Sequence, residues 1–399
     1  MMKIPCLLNI LFSLILIFAA PFRTAAQEIA WSAVDELAQN YVKKRKNQGL
    51  VIGIIRDGAR DIRGYGAQSR EDDRPPHALT IFEIGGLTSV FTTSAAMLAS
   101  YDYDFGMEDP IQPHIDVKSP VFQPQICMEI RLPNRERMIS CAPDPSAETV
   151  CVSFCDLASH TAGMTCSCEE GYVWNPFAYV EYQEDEFYDI SKKALYLSLT
   201  DYELESAPGE EFRYSNMGMA LLGHIVSDIV DTSYQGLLDK YLTRPLNLPD
   251  TRLRLTDTQR LRLAPGHNEK GRAIAPWIFD GLAPAAGLRS TPTDLLAFLQ
   301  ANIDSGHSDL DAALEQVQQA RVDVHFPGWQ RSTQAGYGWI VSLLSDESNL
   351  PVCWINGGTG GYRAWMGFIK DTKTGLVILS NSAQPVDEMA WAILELLHP

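Results

Sequence analysis

Within residues 30–48 the apolar positions Val34, Leu37, Ala38 and Tyr41 recur at helical spacing, which predicts an amphipathic helix near the start of the chain. The following run, GLVIGIIRDGARDIRGYG, holds two β-rich stretches broken at Asp57-Gly58, the mark of a hairpin. A short apolar run (Ile81, Phe82, Ile84) then leads through Gly85-Gly86 into the helix-like stretch TTSAAMLASY. Further on, MGMALLGHIVSDIV from Met217 is apolar on most sides and reads as a buried helix. After about residue 290 come a helical TPTDLLAFLQANI, three strand-like runs (GYGWIVSLL, YRAWMGFIK, GLVILSNS) and a closing helix, EMAWAILELL. Strands at both ends of the chain predict one sheet with a helical lobe inserted between its halves. The expected organisation is a single domain over 27–399, with an α/β lobe of about 27–90 and 290–399 and a helical lobe of about 91–289.

The first residues change the cellular setting. MMKIPCLLNILFSLILIFAAPFRTAAQ has an early Lys3, an apolar core from Cys6 to Ala20 and small residues at Thr24 and Ala26, so a secretory signal over 1–26 is expected, cleaved after Ala26. The apolar core is short for a membrane span, and no span is expected after its removal. Loss of Lys3 and Arg23 moves the formal charge from −18 to −20, which argues against nucleic acid and anionic membrane as partners. Hydrophobic content of 46% and charged content of 21% are those of an ordinary globular protein.

Cysteines are concentrated. Cys127, Cys141, Cys151, Cys155, Cys166 and Cys168 fall within 42 residues, inside an insertion of about 120–168, while Cys353 stands apart. In an exported chain the expectation is a local disulfide-stapled insertion, with Cys353 unpaired or paired at long range. A zinc site on His160, Cys166 and Cys168 is the rival reading, and it lacks a paired C-x2-C spacing.

Four segments carry candidate chemistry: FEIGGLTSVFTT (82–93), LASHTAGM (157–164), PGEEFRYSNMGMALLG (208–223) and WINGGTGGYRAWMGF (354–368). In order and rough spacing they resemble the motifs of the class C β-lactamase-like family, which includes D-alanyl carboxypeptidases and esterases. That resemblance implies a β-lactamase/transpeptidase-like α/β fold, a central antiparallel sheet flanked by helices plus an all-helical lobe. It implies no metal or organic cofactor.

The family's nucleophile segment carries S-x-x-K, a serine with a lysine one helical turn later to handle its proton. Here Gly86 and Ser89 stand in those places, and Ile355 stands where the family has His or Lys. Tyr214 and Asn216 match the Y-x-N pair, which acts in proton transfer and in binding substrate amides. The implied oxyanion donors are the backbone N–H groups of Gly86 and Gly358, with Asn356 and Thr359 beside them, and these need no particular side chain. Loss of the Gly86 side chain is expected to enlarge the floor of the cleft. His160 reads as a turn residue, and Ser89 as a helix hydroxyl bonded one turn back.

The expectation is therefore a periplasmic or secreted serine hydrolase homologue that is catalytically inactive. Its cleft binds a small-molecule or peptide ligand of cell-wall-like chemistry. Two alternatives stand beside it: an active ester or amide hydrolase with a displaced nucleophile such as Ser89, with Thr88 and Ser215 in poorer geometry, and an interaction protein working through the Cys-rich insertion.

Overall fold

The computed structural model describes residues 31–44, 46–115, 125–131, 137–143, 151–164, 190–199, 202, 204–304, 306, 308–326, 328–345 and 347–399, with the backbone alone for 125–131 and 137–143. The expected signal over 1–26 lies outside them. No helix among the described residues is long and apolar enough to cross a membrane.

Helix α1 (Trp31–Val42) buries Trp31, Val34, Ala38 and Tyr41 along one stripe. Strands β1 (Gly49–Arg56) and β2 (Ala59–Gly66) form the expected hairpin about Asp57-Gly58. The short β3 (Phe82–Glu83) passes through a 3-10 turn (Gly85–Leu87) into α2 (Thr88–Asp102). Next come a hairpin of β4 (Gln125–Arg131) and β5 (Arg137–Pro143), then α3 (Phe154–Ala158), α4 (Lys192–Ser198), α5 (Asn216–Ile229) and α6 (Tyr234–Leu238), which runs into a π-helical turn at Asp239–Thr243. After α7 (Asp257–Arg260), β6 (Gly266–His267), β7 (Ala273–Ile274), α8 (Ala283–Ala286) and β8 (Arg289–Ser290) lie α9 (Pro292–Ile303) and α10 (Asp309–Gln318). The chain closes with β9 (Val322–Asp323), β10 (Thr333–Ala335), β11 (Ile340–Leu343), β12 (Pro351–Thr359), β13 (Tyr362–Ile369), β14 (Thr374–Ser380) and α11 (Asp387–Leu397).

Eight strands make one antiparallel sheet in the order β2-β1-β14-β13-β12-β11-β10-β9, so the last strand pairs with the first. Side chains on successive strand residues point to opposite faces. On β1, Val51 and Ile55 enter one core with α2, α5 and α9, while Leu50, Ile52 and Ile54 enter a second with α1 and α11. Strand β14 divides in the same way, Val377 and Leu379 against Leu376 and Ile378. Burial on both faces explains why β1 and β14 read as continuous apolar runs rather than alternating ones.

Helix α2 is buried from Thr88 to Ala99, and its hydroxyls must therefore find partners inside the protein. Thr92 Oγ1 donates to Pro284 O at 2.6 Å and meets Tyr234 Oη at 2.6 Å, Thr93 Oγ1 donates to Tyr337 O at 2.9 Å, and Ser94 Oγ donates to Val90 O at 2.6 Å. Ser89 Oγ has none. The expected back-bond from Ser89 to the preceding turn is thus absent.

The cysteines correct a second expectation. Among the described residues Cys151 and Cys155 are free thiols where staples were expected, and Cys353 is unpaired, one of the two outcomes expected for it. Cys155 Sγ lies 3.1 Å from Ser153 Oγ and donates to Glu108 Oε2 at 3.3 Å, and burial pushes its thiol up to about 11, so it serves as a neutral local donor. Burial likewise pushes Cys353 up to about 12. Cys127 and Cys141 face each other in the backbone register of β4 and β5, a strand pair where helices and loops were expected. Cys166 and Cys168 lie outside the described residues.

Candidate active site

The turn entering α2 and the far half of β12 approach each other backbone to backbone. Gly85 has φ +51°, and a Cβ there would stand 2.6 Å from Gly358 N. A Cβ on Gly357 would stand 2.3 Å from Ile84 O and 2.6 Å from Gly86 N, so only glycine fits at either position. Strand β11 pairs with β12 only as far as Trp354, which leaves Ile355–Thr359 without a partner strand on that side among the described residues. Asn356 O and Gly358 N and O of this free edge face the Gly85-Gly86 turn.

Gly86 itself is where the sequence reading needs correcting. A Cβ there would lie 2.9 Å from Asn356 O and 3.4 Å from Tyr214 Oη. The missing side chain does not enlarge the floor, because the β12 backbone and the Tyr214 hydroxyl already occupy its contact distance.

Tyr214 and Asn216 come together. Ser215 caps α5 through Gly218 N at 2.9 Å, and this sharp entry holds Tyr214 Oη as a donor to Asn216 Oδ1 at 3.0 Å. Beneath them lies His160 at φ +58° in a left-handed turn. Its Nδ1 accepts from Ser215 N at 3.1 Å, its carbonyl accepts from Arg213 N at 2.7 Å, and its ring is 4.5 Å from the Tyr214 ring. Burial pushes the imidazole down to about 4, so it is neutral at pH 7 and acts as an acceptor and platform. No group of three or more His, Cys, Asp or Glu among the described residues is placed to hold a metal.

Gly86, Tyr214, Asn216, Asn356, Gly357 and Gly358 are all partly exposed, and they form one patch. Ser89 and Thr359 are fully buried and Ile355 is buried in the core, so these three do not share the exposed patch. Thr88 and Ser215 are also spoken for: Thr88 Oγ1 accepts from Leu288 N at 3.2 Å, and Ser215 is the α5 cap. Thr359 lies beside the buried carboxylate of Glu83, outside good hydrogen-bond geometry.

Several contributors had no signal in the sequence. Asn356 Nδ2 donates to Asp387 Oδ1 at 2.7 Å, linking the β12 edge to the start of α11. Arg363 Nη1 donates to Thr359 O at 2.8 Å and Tyr362 O at 2.9 Å, and its guanidinium lies against Gly358. Behind the turn, Glu83 Oε1 and Arg289 Nη2 form a buried ion pair at 2.9 Å. Both α2 and α5 begin at this site, and the N-terminal N–H groups of helices favour negative charge. The arrangement offers N–H groups and helix dipoles to an oxygen, with no exposed nucleophile at Gly86.

A family model described as Beta-lactamase matches residues 34–398. This chain belongs to the beta-lactamase family. Its likeness to a beta-lactamase of Providencia stuartii is 22% identity over 392 residues, covering 92% of this chain and 90% of the relative. To the D-alanyl-D-alanine-carboxypeptidase/endopeptidase AmpH of Escherichia coli (strain K12) it is 21% identical over 361 residues, covering 88% and 84%. Among solved structures it is similar to the octameric penicillin-binding protein homologue from Pyrococcus abyssi, with TM-score 0.72, 22% identity and coverage of 92% of this chain and 77% of that one. A beta-lactamase/D-alanine carboxypeptidase from Pseudomonas syringae gives TM-score 0.69 at 21% identity, covering 92% and 100%. The sheet and flanking helices of this chain are therefore the beta-lactamase fold.

Asp387 makes a pH prediction within that fold. Its side chain is buried, and desolvation pushes the carboxyl up to about 6 against the pull of Asn356 and Arg363. An unfolded Asp titrates near ~3.9, so the native state holds this proton more tightly. The group's contribution is then fully favourable below about pH 4 and is lost as pH rises through about 6. Asp387→Asn keeps an acceptor for Asn356 Nδ2. It is expected to raise unfolding free energy by about 2–3 kcal/mol at pH 8 and to change it little at pH 4, measured by urea denaturation at both.

Proposed function

We propose that this chain is an exported, non-catalytic member of the beta-lactamase family whose cleft binds a peptide of cell-wall-like chemistry. The observation that carries the reading is the contact of the Gly86 Cβ position with Asn356 O at 2.9 Å, so that a side chain at the nucleophile position requires the β12 backbone to shift. Burial of Ser89 and Ile355 supports it, since a displaced nucleophile at Ser89 has no access to a ligand. The signal-like residues 1–26 support export.

In this reading a ligand carbonyl or carboxylate is received by the N–H groups of Gly86 and Gly358, favoured by the α2 and α5 N-termini. Tyr214 and Asn216 bind its amides. The free edge of β12 lies alongside an extended peptide, as unpaired strand edges do. Peptides ending in D-alanyl-D-alanine are the first ligands to try, since AmpH is named for that chemistry. Calorimetric titration with an acetylated peptide of this kind is expected to show saturable binding with no free D-alanine released. Gly86→Ala, which places a methyl against Asn356 O and the Tyr214 hydroxyl, is expected to weaken binding about tenfold or more. Release of D-alanine, or equal binding by wild type, Gly86→Ala and Asn216→Ala, would overturn the proposal.

A further inference from the structure

We propose that a cavity of about 230 Å³ on the helical lobe, between the π-helical turn Asp239–Thr243 and the Thr251-Arg252 segment, binds a small oxyanion, phosphate or carboxylate. Its charged lining is Asp239, Arg244 and Arg252. Arg252 is half-buried, its Nε is shielded from solvent without a hydrogen-bond partner, and its Nη1 reaches Gln259 Oε1 only at 3.5 Å. The neighbouring carboxylate that would satisfy it, Asp250, is held by both terminal nitrogens of Arg262.

Arg244 is in the same position from the other wall. Its side chain is 81% exposed and stands 3.8 Å from Asp239 Oδ2. Asp239 Oδ1 already accepts from Gln235 Nε2 and Thr243 Oγ1, both at 2.9 Å. Two guanidinium groups therefore line one cavity with most of their donors unspent, on a chain of net charge −18. Planar guanidinium forks match the oxygens of phosphate and carboxylate. The π-helical turn forming one wall is a rare local geometry that is frequent at functional sites. None of these residues belongs to the patch around Gly86, so this site stands or falls independently of the peptide-binding reading.

The test is titration of the full chain with inorganic phosphate and, separately, malonate at fixed ionic strength, followed by calorimetry and thermal melting. Saturable binding of either anion is expected, and the tighter of the two assigns the source of the oxyanion. Arg252→Gln is expected to weaken it about tenfold or more. If Arg252→Gln does not fold, Arg244→Gln on the exposed wall carries the same expectation at a smaller, several-fold effect. A response that rises without saturation, or that is equal in wild type and both arginine variants, overturns the proposal.

Discussion

Intact mass is expected to stay unchanged after incubation with a penicillin or a fluorophosphonate probe. Turnover of a chromogenic cephalosporin is expected to lie on the order of a millionfold below that of a family member with its serine, the loss seen when a serine hydrolase loses its nucleophile. At about 1.36 kcal/mol per decade this is a barrier higher by roughly 8 kcal/mol. Simple reversion is not expected to recover labelling. Gly86→Ser adds a Cβ 2.9 Å from a backbone oxygen, which moves only if β12 moves. Overpacking of this kind costs about 1–3 kcal/mol. Ser89→Lys places an ammonium at a fully buried position, and Ile355→His removes an apolar side chain from the core. Labelling of the triple variant Gly86→Ser, Ser89→Lys, Ile355→His at a rate near that of an active relative would refute the closed floor described above.

The second large effect concerns the scaffold behind the site. Arg289→Met is expected to lower stability by about 3–5 kcal/mol, because it leaves the Glu83 carboxylate buried and uncompensated. Glu83 is 2% exposed, and burial already pushes its carboxyl upward against the pull of Arg289. The same guanidinium donates to Leu253 O and Trp277 O, so three segments lose a common donor. The sign with pH follows from the raised carboxyl. Without Arg289 the native state favours protonated Glu83, so the deficit shrinks as pH falls toward about 4 and grows as it rises. Denaturation of Arg289→Met at pH 5 and pH 8 checks this. The double variant Glu83→Leu with Arg289→Met is expected to recover to within about 1–2 kcal/mol of wild type, since replacing a whole buried pair is far milder than breaking it. Equal losses in the single and double variants would place the effect in packing instead.

The outer frame was legible because its elements obey simple periodicities. β1, β13 and β14 are long apolar strands buried on both faces, α1 carries a one-sided stripe, and Asp57-Gly58 marks its own turn. Strand β12 has no such pattern: INGGT is polar and glycine-rich because its edge serves close approach rather than packing. It was found through motif resemblance alone. The pairing of Tyr214 with Asn216 was readable for the same reason, being two residues apart on one helix entry.

What escaped the sequence depends on long-range contact or on close backbone approach. Nothing local to Asn356 points to Asp387, and nothing in Phe82-Glu83 points to Arg289 two hundred residues later. The filled space at Gly86 is the close approach of a backbone carbonyl, to which no residue type corresponds. Clustered cysteines gave the expectation of staples, yet Cys155 spends its thiol on Ser153 and Glu108.

The pairing of β1 with β14 fixes an order of events as well as a shape. Leu50 lies opposite Ser380, and Gly49 N donates to Asn381 Oδ1 at 2.9 Å, so the middle of the sheet joins residues more than three hundred positions apart. Such closures are slow, because the chain entropy of a long loop is lost before the contacts that reward it can form. The hairpin of β1 and β2 can form early, but its inner edge waits for β14, more than three hundred residues later. A sheet closed only by so distant a strand remains open during synthesis, with the apolar face of β1 in need of cover, and this late closure is the step at which aggregation competes with folding.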